Sequence, residues 1–278
     1  MSLRKSNRAS AAPPPAEKEA AAAKPASQDS VWETIKTIIY AILIALVVRT
    51  VAFEPFNIPS RSMLPTLLVG DYLFVSKYSY GYSRYSFSQF GVSLPFSFGG
   101  DYGRILFHPV KRGDVAVFKL PRDNKTDFIK RIVGLPGDRI QMIHGILNIN
   151  GEPVKRQQIA DFMDDRGDGQ FIRYHQYIET LPNGVKHRIL ERSDDEIVDN
   201  TGVYVVPPGH YFAMGDNRDN SLDSRIPPAA GGVGYVPAAN LVGRAEFLFF
   251  SYDENVPMWE FWRWPTAIRF NRIFTAVD

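Results

Sequence analysis

Residues 113–154 read GDVAVFKLPRDNKTDFIKRIVGLPGDRIQMIHGILNINGEPV. Within them GDVAVFKL at 113–120, FIKRIVGL at 128–135 and DRIQMIHGILNINGEPV at 138–154 are short apolar runs rich in Val, Ile and Phe, separated by Gly, Pro and Asp. That is the pattern of successive strands joined by turns, and Asn150-Gly151 is a strong hairpin turn. The same logic reaches LLVGDYLFVSKYSYG at 67–81, which alternates apolar and polar residues around a Gly-Asp turn, and YVVPPGHYFAMGDN at 204–217. Beyond one apolar run near the N-terminus there is no long helical periodicity and no internal repeat. The expected fold is mostly β, an antiparallel sheet domain. Residues 155–200, from KRQQIADFMDDRGDGQ onward, are charged and read as irregular. They are expected to form a smaller module inserted at about 145–203 of a body spanning 54–278.

Composition narrows the function. With 278 residues and 45% apolar side chains the chain can bury a substantial core. Its 32 basic and 30 acidic residues give a net charge of +2 with no basic stripe, which sets nucleic-acid binding aside. Cysteine is absent, so thiol catalysis, Cys-ligated zinc and disulfides are all excluded.

Residues 1–30 are rich in Ala, Pro, Ser, Lys and Glu, with Arg4, Lys5, Arg8, Lys18 and Lys24 against Glu17, Glu19 and Asp29. So little apolar surface cannot offset the entropy of ordering, and the segment is expected to be a disordered tail. Thr37–Phe53, TIIYAILIALVVRTVAF, then runs for seventeen residues with Arg49 as its sole charge. Extended toward Val31, it is long enough to cross ~30 Å of hydrocarbon as a helix, with Arg49 snorkelling to the interface. The alternatives are a buried soluble helix, or a cleavable signal ending at Thr50-Val51-Ala52, against which stand the long preceding segment and the bulky Phe53. The basic tail favours a cytoplasmic N-terminus and an anchor over 31–53. Residues 82–107, with Phe87, Phe90, Phe96, Phe98 and Phe107, and WEFWRW at 259–264 are aromatic stretches that either pack on the core or touch lipid.

Directly after the apolar run comes IPSRSMLPTLLVGD, 58–71. Ser60 and Ser62 stand two apart between Pro59 and Pro65, which holds the backbone extended and turn-prone and excludes a helix. An ordinary solvated loop has the same composition, but a stiff loop also suits a nucleophilic hydroxyl, which needs a base. His108, His144, His175, His187 and His210 are available, yet none sits in a recognisable nucleophile context, and each reads as a surface or strand residue. Lys130 is the stronger candidate. Period-2 alternation puts Phe128, Lys130 and Ile132 on one strand face, and desolvation between large apolar neighbours lowers an amine's pKa toward a working range. GDNRDNSLDSR at 215–225 is a polar turn-forming stretch. It lacks the Gly at position six and Glu at position twelve of a calcium-binding loop, so no metal site is expected.

Taken together, the serine loop, KRGDVAVF at 111–118, DFIKRIVGLPGD at 127–138 and GDNRDNSLDSR, in this order behind an apolar run, resemble the bacterial type I signal peptidases. These are membrane-anchored Ser/Lys endopeptidases that remove signal peptides. The resemblance covers about Phe53–Gly137 and Tyr211–Arg244 and extends to WPTAIRF near the C-terminus. It implies Ser62 as nucleophile, Lys130 as base, and Ser60 with the Ser62 N–H as the oxyanion hole. It assigns Ser221 to orient the amine, Asp223 and Arg225 to a supporting ion pair, and Gly215 and Asn217 to the loop itself. Arg61 stands where many members have Gly, its side chain expected toward solvent. The implied substrate pockets, sized for Ala-x-Ala termini, are lined by Phe56, Ile58, Pro59, Met63, Leu67, Val117, Asp127, Phe128 and Ile129, with Met63 foremost. No cofactor is implied. The expected partners are preprotein signal peptides, membrane lipid and the protein-export translocon, at the bacterial inner membrane with the catalytic domain outside the cytoplasm. Two alternatives stay open: a Ser/Lys protease dedicated to a pilus, conjugation or other secreted substrate, and an inactive membrane-tethered β-rich binding protein.

Overall fold

The computed structural model describes residues 28–86, 101–167, 169–257 and 259–277. The expected disordered tail up to residue 27, and Phe87, Phe90, Phe96 and Phe98 of the aromatic excursion, lie outside them. The chain divides into two units, one ending at Ile44 and the other running from Ala45 to Asp278. Helix α1, Gln28–Val51, begins three residues earlier and ends two earlier than the expected span. Its stretch Val31–Val51, 21 residues of mean hydropathy 2.0, is long and apolar enough to cross a membrane. Ile38, Leu43, Ile44 and Val47 are all exposed, and a helix apolar all round needs an apolar surrounding. Phe53 already belongs to the first strand.

The strands are β1 Phe53–Asn57, β2 Asp71–Ser76, β3 Val115–Lys119, β4 Asp127–Gly134, β5 Arg139–Ile143, β6 Ile146–Ile149, β7 Glu152–Pro153, β8 Lys155–Asp165, β9 Phe171–Thr180, β10 Lys186–Glu191, β11 Tyr204–Val205, β12 His210–Met214, β13 Val236–Pro237 and β14 Leu241–Ser251. Seven of them form an antiparallel sheet in the order β1-β2-β14-β3-β4-β12-β13. Pro55, which has no N–H to give, sits in the outermost strand β1, where none is needed. Successive residues of β3 belong to different cores. Val115 and Val117 pack with Ile58, Met63, Leu67 and Leu73, while Ala116 and Phe118 pack with Ile132, Ala213 and Leu241. Burial on both faces is why GDVAVFKL reads as an unbroken apolar run.

The second sheet, β11-β5-β6-β7, turns twice on adjacent residues of positive φ. Asn150 (57°) with Gly151 (89°) is the expected hairpin turn, and His144 (48°) with Gly145 (69°) is a second of the same kind. The module differs from expectation. Residues 155–191 are not irregular but three long antiparallel strands in the order β10-β9-β8. Most of β8 faces water, so no apolar period marks it. The topology brings three regions of the chain together: the 58–70 loop joins β1 to β2, Lys130 lies on β4, and the module's β9 and β10 reach the 215–221 loop behind β12.

Candidate active site

Ser62 lies in a single 3-10 turn, Arg61–Met63, a departure from the expected extended loop. One short turn needs few backbone hydrogen bonds, and the flanking prolines do not forbid it. The turn buries Ser62 to 8% exposure and turns Met63 wholly into the core. The Lys130 Nζ, itself on a residue 3% exposed, donates to Ser62 Oγ at 2.7 Å and to the Ile129 carbonyl at 2.9 Å. Its ammonium stands 5.3 Å from the centroid of the Phe128 ring. Burial lowers the Lys130 pKa, and the carboxylates of Asp223 and Asp216 pull it part of the way back, leaving it at about 8. Ser60 Oγ is 3.3 Å from Ser62 Oγ.

The 215–225 stretch closes the site from behind. Asn217 N–H donates to the Ser62 carbonyl at 3.1 Å, and its Nδ2 to the Arg61 carbonyl at 3.0 Å. Arg225 grips Asp223 through Nε (3.0 Å) and Nη2 (2.9 Å), both residues buried, and Asp223 Oδ2 accepts the Gly215 N–H. Residue 215 must be glycine. A Cβ there falls 2.3 Å from Ser221 Oγ and 2.5 Å from the Ser62 carbonyl. Ser221 Oγ is buried with no hydrogen-bond partner among the described residues, so its link to Lys130 is absent from this arrangement although its capacity for one is unspent.

A groove of about 890 Å³ opens over Ser62 and Lys130. Phe56, Ile58, Pro59, Val117, Asp127, Phe128 and Ile129 line it. Met63 and Leu67 do not: both are fully buried in the core under the nucleophile turn, because that turn directs Met63 inward.

Residues 31–250 match a family model described as signal peptidase, peptidase S26. The chain is 38% identical over 250 residues to signal peptidase I of Rickettsia typhi, covering 84% of this chain and 89% of the relative. With the Rickettsia prowazekii signal peptidase I the identity is 36% over 263 residues, covering 89% and 94%. The chain belongs to the signal peptidase I family. Among solved structures, a signal peptidase I from Enterococcus faecalis is 24% identical, covering 49% of this chain and 97% of that one at a TM-score of 0.28.

In this peptidase several residues that sequence reading passed over support the site. Arg61 is not in solvent. Its Nη2 pairs with Glu254 Oε1 at 2.7 Å and its Nε with Asp164 Oδ2 of β8 at 3.3 Å, tying the nucleophile turn to the module. Arg131, on the β4 face opposite Lys130, binds Asp216 through Nε and Nη2, both at 2.8 Å, and Thr66 Oγ1 donates to Asp216 Oδ2 at 2.6 Å. Arg218 holds Glu179 of β9 at 3.0 and 2.6 Å, with His187 of β10 3.3 Å from the same carboxylate. His187 is a buried strand residue rather than a surface one, and among the described residues no histidine bonds Ser62 Oγ. Period 2 alone could have flagged Arg131; the module's carboxylates carried no such signal.

Proposed function

We propose that this protein cleaves signal peptides from exported preproteins by Ser/Lys acyl-enzyme chemistry, and the observation that carries the reading is the 2.7 Å contact between a dehydrated Lys130 Nζ and Ser62 Oγ. In the neutral-amine form the same contact runs with the hydroxyl donating. Ser62 Oγ then attacks the scissile carbonyl carbon while Nζ takes the proton, and the oxyanion forms against the Ser62 N–H and the Ser60 hydroxyl. Nζ returns the proton to the departing amine, the new N-terminus of the mature chain. A water attacking the ester, with the same amine as base, frees the signal peptide and restores the serine.

Among the described residues, 127–130 of β4 have no strand partner on the side where β12 pairs only with residues 131–134. An extended substrate adds there as a strand, and main-chain pairing binds it regardless of sequence. Phe56, Ile58, Pro59, Phe128 and Ile129 leave room for small side chains, which fits Ala-x-Ala junctions. Ser221 supplies the amine's remaining hydrogen bond, and Asp223 with Arg225 holds that loop.

The basic tail supports a cytoplasmic N-terminus, with α1 spanning the inner membrane and residues 54–278 outside the cytoplasm, where translocated chains emerge and the export translocon is met. Trp259, Phe261 and Trp262 are exposed at 76, 68 and 64%, which favours contact with lipid. The test is incubation of the purified protein, in detergent micelles, with a preprotein bearing an Ala-x-Ala junction. Cleavage after the second Ala, read by N-terminal sequencing, is expected, and an intact preprotein would remove the reading.

This reading also carries a pH profile and the effect of one substitution. The neutral amine is the active form, so kcat/KM should rise tenfold per pH unit below about 8 and level off above it, following the Lys130 pKa. A profile flat from pH 6 to 9 would contradict the amine's role. Ser60→Ala removes an oxyanion donor and should lower kcat by about 10²–10³ with little change in KM, as steady-state kinetics would read.

A further inference from the structure

The catalytic groove has a second flank, lined by Glu196, Ile197, Val198, Asp219, Asn220 and Leu222. None of these belongs to the pockets for the signal side of the substrate. We propose that this flank is the binding subsite for the first residues of the mature chain, with Ile197 as its aliphatic contact and the module as its source. The inference rests on the signal-peptide reading and extends it to the leaving side of the scissile bond.

The path of the substrate leads there. A peptide lying along residues 127–130 and running in the same direction as β4, its signal side against Phe56–Pro59, occupies the lane that β12 fills further on, where Met214 pairs with Arg131. Past Lys130 that lane is closed. Gly215 stands in it, packed so tightly against Ser62 and Ser221 that not even a Cβ fits. The chain beyond the scissile bond has to leave the plane of the sheet, and the same groove continues along Asn220–Leu222 and Glu196–Val198.

Ile197 is 95% exposed and Leu222 52%. Single exposed aliphatics are ordinary on protein surfaces; this one stands at the lip of a catalytic groove on a loop held at both ends. Asp219 Oδ2, one turn from Ser221, accepts the N–H groups of Arg192 (2.6 Å) and Ser193 (3.3 Å). Glu196 N–H donates to Asp199 Oδ2 at 2.7 Å, and Asp199 N–H to the Glu196 carbonyl at 3.0 Å. Beyond them the Asn200 Oδ1 and Thr201 Oγ1 accept from His144 and Met142 N–H groups, both at 3.0 Å. A loop fixed before the ligand arrives spends little ordering entropy on binding it.

Asp194, Asp195 and Glu196 precede Ile197, all exposed. The chemistry selected is therefore an aliphatic side chain among the first mature residues, with basic residues tolerated and acidic ones disfavoured by like charge.

The experiment uses the full-length protein in micelles and a set of preproteins identical except at mature positions one to three, where Leu, Lys or Glu replaces Ala one position at a time. Relative kcat/KM is measured for the native protein, Ile197→Asp and Ile197→Lys, with Phe171→Lys, exposed on β9 outside the groove, as control. At one of the three positions the native protein should favour Leu over Glu by about tenfold, a contact of side-chain size. Ile197→Lys should erase or invert that ratio, Ile197→Asp should move it toward Lys, and Phe171→Lys should keep the native ranking. The same ranking in all four proteins overturns the subsite. Absence of cleavage of every preprotein by the native protein instead removes the function on which it rests.

Discussion

Ser62→Ala and Lys130→Met should each abolish cleavage of a preprotein, by about 10⁴-fold or more, while the protein stays folded. The first removes the atom that makes the acyl bond. The second keeps the length and apolar body of the side chain but deletes the amine 2.7 Å from Ser62 Oγ, and a serine hydroxyl without a base is a poor nucleophile. Loss of activity and loss of stability should separate cleanly at this residue. Burial disfavours the Lys130 ammonium, so the native fold carries the strain of holding it, and the methionine variant should unfold at the same temperature or higher. Thermal unfolding run beside the cleavage assay reads both. A variant that kept turnover would return attention to the histidines, and one that lost turnover only by unfolding would leave the base unidentified.

Glu179→Ala should destabilise the fold by about 3–5 kcal/mol, the usual result of removing one partner from a buried ion pair. Glu179 and Arg218 are each 1% exposed and joined through two hydrogen bonds. A guanidinium cannot shed its charge, so the variant leaves it buried and uncompensated. Glu179→Ala combined with Arg218→Met should recover much of the loss, and urea denaturation of the two variants decides it. The pH dependence has a definite sign. Burial pushes the Glu179 carboxyl up, but Arg218 and His187 outweigh it and hold it well below the usual range. Stabilisation by the pair is complete above the unfolded value of about 4.3 and is lost as pH falls below it. The native protein's advantage over Glu179→Gln should shrink on acidification below about pH 4.

How much of this was legible in the sequence depended on what each stretch is packed against. β3 and the second half of β4 announced themselves because both faces are buried there, and turn residues bound them. Ser62 and Lys130 were legible as a pair only through neighbouring motifs, 68 residues apart. The strands β8–β10 stayed hidden because most of β8 faces water and β9 is largely half-buried, which leaves polar residues where a period is sought. The resemblance implied Met63 and Leu67 as groove lining, but the 3-10 turn sends Met63 into the core and Leu67 is buried there beside it. The Glu179–Arg218 clamp joins residues 39 apart on different elements, and Arg61 reaches Asp164 across 103; no local pattern encodes either.

The strand order has a consequence in time. The loop that carries Ser62 hangs from β1 and β2, and Lys130 from β4, and among the described strands β14 is the one that pairs between these two halves of the sheet. Because β14 is Leu241–Ser251, it is synthesised long after both reactive groups. A nascent chain that has emerged as far as residue 230 already contains every atom of the dyad, yet lacks the strand that sets one beside the other. The sheet order that sets Ser62 beside Lys130 is therefore complete only once this late-arriving strand has inserted into the middle of the sheet.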